Sequence, residues 1–144
     1  MTISTPPRVL LVEDNPGDVF LLQECLRERG AVIDLVVAGE VDEGIQLLAS
    51  DQPPPCLALI DLHLPKQDGR HLLTYLKEQP HLTGLPAVVL SSSQRPADHQ
   101  ACLDLGAREV LVKPSDWAGY AQLVRTLERY WNGPMARQET AGSC

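Results

Sequence analysis

Glu13, Asp14 and Asp61 are the residues of this 144-residue chain with the most chemistry to offer. Glu13 and Asp14 close the apolar run Val9-Leu10-Leu11-Val12, and Asp61 closes Cys56-Leu57-Ala58-Leu59-Ile60. Apolar runs of this length read as buried strands, so the acids collect where two strands end. Three carboxylates crowded at one sheet edge repel one another unless a hard cation sits between them, held by their oxygens and water. Mg²⁺ is the expected ion, with Mn²⁺ or Ca²⁺ as substitutes. A carboxylate beside such an ion is also placed to accept a phosphoryl group, and Asp61 is the candidate.

Two more polar residues occupy equivalent positions. Ser91 ends the run Ala87-Val88-Val89-Leu90, and Lys113 follows Glu109-Val110-Leu111-Val112 immediately before Pro114. A phosphoryl dianion on Asp61 presents oxygens that a cation, the Lys113 ammonium and the Ser91 hydroxyl can share. Before reaction, about three negative charges from the acids face about three positive ones from Mg²⁺ and Lys113. Phosphorylation adds about one negative charge, which pulls mobile donors inward, so movement of Ser91 and Lys113 is the expected switch. Leu64-Pro65-Lys66-Gln67-Asp68-Gly69 supplies a wall, with Pro65 and Gly69 fixing a tight connection. Taken singly, Glu13-Asp14 also reads as a capped turn, Ser91 as a loop residue and Lys113 as a solvated charge. Their joint placement at one end of four strands is what binds them into a site.

The elements that must position these groups alternate strand with helix five times. The strands read Val9 to Glu13, Val32 to Val37, Cys56 to Ile60, Ala87 to Ser91 and Glu109 to Val112. None alternates cleanly, as burial on both faces predicts. Helices are expected from Pro16 to Gly30 with Asn15 as cap, from Glu40 to Ser50, from Gly69, from Pro96 to Leu105 on an Ala97, Ala101, Leu105 row, and from Ser115 to Trp131. The last places Trp117, Tyr120, Val124, Leu127 and Trp131 on one seam, which serves either ordinary packing on the sheet or self-association. The fold class is α/β: a doubly wound five-stranded parallel sheet with helices on both faces. In strand order 2-1-3-4-5 the order reverses between strands one and three, where ligands bind beyond the strand ends and where the acids lie.

Composition narrows the function. A formal charge of −7 with no Lys/Arg cluster argues against nucleic acid. No run of roughly 18 apolar residues and no basic start before an apolar core points away from a membrane, and a cytoplasmic location is expected. Cys25, Cys56, Cys102 and Cys144 lack pairing or ligand spacing, and the first three read as reduced, buried thiols. His71, His81 and His99 are unclustered and read as solvated. One domain over residues 8–132 is expected, between a tail at 1–7 and a mobile tail at 133–144.

The order of these motifs resembles the response-regulator receiver domain, from about Arg8 to Trp131. Val12-Glu13-Asp14-Asn15 is similar to that family's acidic group, Asp61 to Gly69 to its phosphoacceptor loop, Leu90-Ser91-Ser92 to its switch hydroxyl and Lys113-Pro114 to its lysine corner. The resemblance implies the flavodoxin-like receiver fold, with five helices, and transfer of a phosphoryl group to Asp61 from a sensor histidine kinase. It also implies that Asp14 and Asp61 bind the metal directly, that Glu13 acts through metal-bound water, and that the His63 backbone carbonyl completes the ligands. His63 and Ser93 fall where the family's side chains flank the water that hydrolyses the acyl phosphate, so both would tune its lifetime. Glu13-Asp14-Asn15-Pro16-Gly17-Asp18 further resembles the stand-alone regulators paired with cyanobacterial and bacterial phytochromes, which makes a light-sensing kinase the candidate partner.

One position departs from the pattern. Many receivers carry Tyr or Phe three residues before the lysine, whereas Val110 stands here, and no aromatic elsewhere in the sequence obviously replaces it. Signalling is then expected to rely on backbone and displacement of the fourth helix. Output is expected through a downstream protein or a homodimer, using the face of helix four, strand five and helix five. The chain is not expected to be an enzyme beyond assisting its own phosphorylation and dephosphorylation. The alternatives are a Mg²⁺-dependent phosphatase with Asp61 as nucleophile, which lacks the Asp-x-Asp pattern of such enzymes, and a scaffold that is never phosphorylated. A flavin protein is disfavoured because the first turn is acidic.

Overall fold

Arg8–Val12 (β1), Asp34–Ala38 (β2), Leu57–Asp61 (β3), Ala87–Ser91 (β4) and Glu109–Val112 (β5) form one sheet in a computed structural model that describes residues 5–50, 52–64 and 66–132. Pro65, Cys144 and the tail from Gly133 lie outside the described residues. All pairings are parallel, in the order β2-β1-β3-β4-β5. Leu11 sits opposite both Val37 and Leu59, so Glu13 and Asp61 emerge at the same edge.

Successive strand side chains point to opposite faces, and each face is apolar because each is covered by helices. Val9, Leu11, Leu57, Leu59, Val88 and Leu90 pack with Leu22, Cys25 and Leu26 of Pro16–Glu28 (α1) and with Tyr120, Leu123, Val124 and Leu127 of Trp117–Leu127 (α5). Leu10, Val12, Ala58, Ile60, Ala87 and Val89 meet the other side. There, Val41–Ala49 (α2) brings Val41 and Leu48, Gly69–Glu78 (α3) brings Leu72, Leu73 and Leu76, and Pro96–Asp104 (α4) brings Cys102. β3 and β4 are buried along their whole length, whereas the edge strands β2 and β5 are partly open.

The helix ends follow their side chains. Asn15 Oδ1 accepts from Gly17 N at 2.8 Å and Asp18 N at 3.2 Å, Pro16 occupies the first turn, and Gly30 beyond α1 takes φ +71°. Asp116 Oδ1 accepts from Gly119 N at 2.8 Å at the start of α5.

Several sequence expectations shift. The second strand begins at Asp34, and Val32 is 73% exposed: an apolar residue here belongs to the connection. Residues 128–130 tighten into a 3-10 turn rather than continuing α5, although Tyr130 and Trp131 still bury. The α5 seam is mostly ordinary packing; only Trp117, at 45% exposure, lies open. The Ala97, Ala101, Leu105 row is not the buried face of α4, because Ala97 is exposed and Cys102 is the residue that enters the core. Nine residues with a single inward side chain leave no periodic signal to read.

Candidate functional site

The ladder of the sheet runs one step beyond its strands and fixes the functional residues. Glu13 N donates to Ala38 O at 2.9 Å, Leu62 N to Leu90 O at 2.9 Å, and Lys113 N to Ser91 O at 2.8 Å. Asp61, Glu13 and Ser91 are all nearly or fully buried, at 2%, 3% and 0% exposure, and Asp14 is exposed. Buried charges of this kind persist only when paired.

Lys113 provides the pairing. Its Nζ lies 2.8 Å from Asp61 Oδ2, 3.0 Å from Glu13 Oε1 and 3.2 Å from Asp18 Oδ2. The Asp61 Oδ1 oxygen accepts from His63 N at 3.2 Å, and Glu13 Oε2 accepts from Asn15 N at 3.1 Å. Burial opposes the Lys113 charge, but its hydrogen bonds to Asp61 and Glu13 and their charges outweigh this and hold it above the ordinary lysine range. Burial pushes the Glu13 carboxyl up to about 7, against hydrogen bonds from Lys113 and Asn15 and helped by the Asp61 charge. The two shifts are compatible because several carboxylates share one ammonium.

Asp18 is the functional residue that sequence reasoning missed. It stands in the first turn of α1, where an acidic residue ordinarily reads as helix-dipole stabilisation. Its position at the same sheet edge as Lys113 was the available signal. It also corrects the charge balance: with Asp18 counted, a divalent ion and Lys113 do not neutralise the site before reaction. Tyr120, one turn into α5, is buried in the core shared with α1. The phenol is buried, and its pKa is raised by burial first and then by the charges of Asp18 and Glu13.

Oxygens from Glu13, Asp14 and Asp61 lie within 4.8 Å of one another. Three hard oxygen donors at that separation, two buried and one open to solvent, suit a divalent ion that keeps some of its water. Gly69 shapes the neighbouring wall. A Cβ at Gly69 would stand 2.7 Å from Asp61 O and 3.1 Å from Leu62 Cα, and Gly69 N donates to Leu62 O at 2.9 Å. Lys66, in the same loop, has φ 68°, a backbone state uncommon for a residue with a side chain. Gly119 similarly admits Pro114, whose Cβ would be 2.9 Å from an added Cβ.

The hydroxyl side is arranged differently. Ser91 Oγ donates to Ser93 O at 3.3 Å and accepts from Ser93 N at 3.0 Å. Ser92 is exposed, and Ser93 Oγ donates to Asp98 Oδ2 at 2.6 Å. His63, His71 and His81 are exposed, but His99 is half-buried with Nε2 2.7 Å from Ser93 O, which corrects its reading as solvated. Val110, half-buried, packs on the α2–α4 face of the sheet, opposite Val89 in register.

The model of the response regulator receiver domain matches residues 9–125. Response regulator Rcp1 of Synechocystis sp. is 34% identical, over 89% of this chain and 91% of its own length. The crystal structure of the Mn²⁺-bound form of Rcp1 superposes with a TM-score of 0.78 at 32% identity, covering 88% of this chain and 94% of that one. The phosphorylated cyanobacterial phytochrome response regulator RcpA gives 0.79 at 32% identity, with the same coverages. With its five-stranded order, its buried Asp61 carboxylate and its lysine at the sheet edge, this chain belongs to the response regulator receiver domain family.

Proposed function

We propose that the chain is a phosphorylation switch in which Asp61 accepts a phosphoryl group from the phosphohistidine of a sensor histidine kinase. The observation that carries this reading is the Asp61 carboxylate, nearly buried yet placed 2.8 Å from Lys113 and grouped with Glu13 and Asp14. An Asp61 oxygen attacks phosphorus, the phosphorus–nitrogen bond to the donor breaks, and the donor imidazole leaves. Lys113 stabilises charge on the transferring oxygens, while the His63 N–H holds the carboxylate in orientation. Glu13, Asp14 and Asp61 would hold Mg²⁺, with the His63 carbonyl as a further ligand, and the ion would supply positive charge to the phosphoryl oxygens. His63 and Ser93 tune the lifetime of the product. Gly69 and Pro114 set the loops around it.

The similarity to Rcp1 and RcpA supports a phytochrome kinase as the partner. Leu103 on α4, Val112 on β5 and Trp117 on α5 are exposed apolar residues, which supports these elements as the surface for a downstream protein or a second copy. No helix among the described residues is long and apolar enough to cross a membrane, in keeping with work in the cytoplasm.

Incubation with Mg²⁺ and acetyl phosphate, followed by intact mass, tests the acceptor. One phosphoryl mass is expected on the wild type and none on Asp61→Asn. Steady turnover of small phosphate esters without a stable phosphoprotein would favour a phosphatase instead.

A further inference from the structure

Ser91 faces a choice of partners. Its hydroxyl is fully buried and engaged with both backbone groups of Ser93, so turning toward a phosphoryl group on Asp61 means leaving Ser93. Ser93 is in turn the centre of the α4 start. Its Oγ donates to Asp98 at 2.6 Å and accepts from Arg95 N at 3.2 Å, and its carbonyl meets His99 Nε2 at 2.7 Å. Arg95, the residue before α4, makes no side-chain cap, and the bonds of Ser93 to Arg95 N, Asp98 and His99 tie the helix start to the loop instead.

We propose that Ser93, Asp98 and His99 form a latch that holds α4 to the Ser91 hydroxyl and opens when Ser91 turns to phosphorylated Asp61. The proposal rests on the phosphoacceptor reading and supplies the route by which that reading reaches the surface without an aromatic at position 110.

Two features make α4 the element a latch can control. Apolar packing holds it weakly: Cys102 is its one buried side chain among the described residues. Just beyond its far end lies a pocket of about 190 Å³, lined by Leu73, Leu76, Lys77, Leu82, Thr83 and Leu105, which leaves room between α3 and the residues that follow α4. A few polar bonds therefore make up a large share of what fixes the start of the helix. Asp98 also faces Arg95 and Arg70, whose charges reinforce its place without involving Ser91.

Linkage gives the test. If the closed latch opposes the phosphoryl-bound arrangement, opening it strengthens binding of a phosphoryl mimic by the same factor that binding opens it. Beryllofluoride affinity in Mg²⁺ is measured for wild type, Asp98→Ala, Ser93→Ala and Ser93→Thr, with hydrogen exchange across residues 94–105. Asp98→Ala and Ser93→Ala should each bind the mimic about tenfold more tightly, the equivalent of about one charge-assisted hydrogen bond. Their α4 amides should exchange, without mimic, as fast as those of the saturated wild type. Ser93→Thr, which keeps the hydroxyl, should behave as wild type. In a Ser91→Ala background, Asp98→Ala should no longer change the affinity. Simple loosening of the fold would weaken binding or leave it unchanged, and either result in Asp98→Ala overturns the latch. A wild type that fails to bind beryllofluoride overturns the phosphoacceptor reading itself.

Discussion

α5 and α4 each follow a strand end that carries a site residue, yet one is sunk in the core and the other barely enters it. Lys113 leads into α5, where Tyr120, Leu123, Val124 and Leu127 are all buried against α1 and the sheet. Ser91 leads into α4, where Cys102 alone is buried and the first turn hangs on Ser93. Apolar burial is indifferent to small changes in charge, whereas a polar contact can be exchanged for a better one. The contrast separates the two sides: the lysine side is anchored by apolar packing, and the hydroxyl side is held by polar contacts that can be exchanged.

The largest expected effect lies on the anchored side. Leu127→Ala removes a side chain with 1% exposure from the α1–α5 core and should destabilise the fold by about 2–5 kcal/mol in urea unfolding. A loss below about 1 kcal/mol would mean that α5 is held no better than α4. Next comes the wall beneath Asp61. Gly69→Ala would drive a methyl group into Asp61 O and Leu62 Cα, which are backbone atoms and cannot swing aside. It should cost about 1–3 kcal/mol and slow acetyl-phosphate labelling of Asp61, whereas a neutral outcome would show that the β3–α3 connection can yield as α4 does.

The strand ends were the most legible part of the site. Glu13, Asp61, Ser91 and Lys113 stand directly after apolar runs, so strand patterning alone puts them at one edge. Asn15, Pro16 and Gly30 mark α1 because capping chemistry is local. Asp18 escaped because its partner, Lys113, is distant in sequence and its own helix offers a sufficient local reason for an acid. The Ser93, Asp98 and His99 bonds escaped for a related cause: they depend on the path of the β4–α4 loop, which no residue type dictates.

A third expectation concerns charge on the anchored side. Burial raises Glu13 from an ordinary 4.5 to about 7, so the metal-free fold retains a proton there that a divalent ion must displace. For this group, metal-free stability is fullest below about 4.5 and is lost as pH rises through about 7. Mg²⁺ affinity should run the opposite way, rising by up to about tenfold per pH unit below 7, equivalent to about 1.4 kcal/mol, and levelling above it. Titrations of Mg²⁺-induced thermal stabilisation between pH 5.5 and 8 check this, with Glu13→Gln expected to flatten the profile. A flat wild-type profile would place the proton elsewhere.

The smallest effect is the most direct measure of the difference between the two helices. Leu103 on α4 is 40% exposed and lies beside the inward Cys102, while Leu127 closes α5 at 1% exposure. The two side chains are chemically identical, so their truncation compares environments alone. Leu103→Ala should change stability by no more than about 0.5 kcal/mol in the same urea titration that registers Leu127→Ala. It should also leave beryllofluoride affinity unchanged, because Leu103 belongs neither to the site nor to the contacts around Ser93. A cost near that of Leu127→Ala would show that α4 has a core of its own, and polar bonds at its start would then be too weak to decide where it sits.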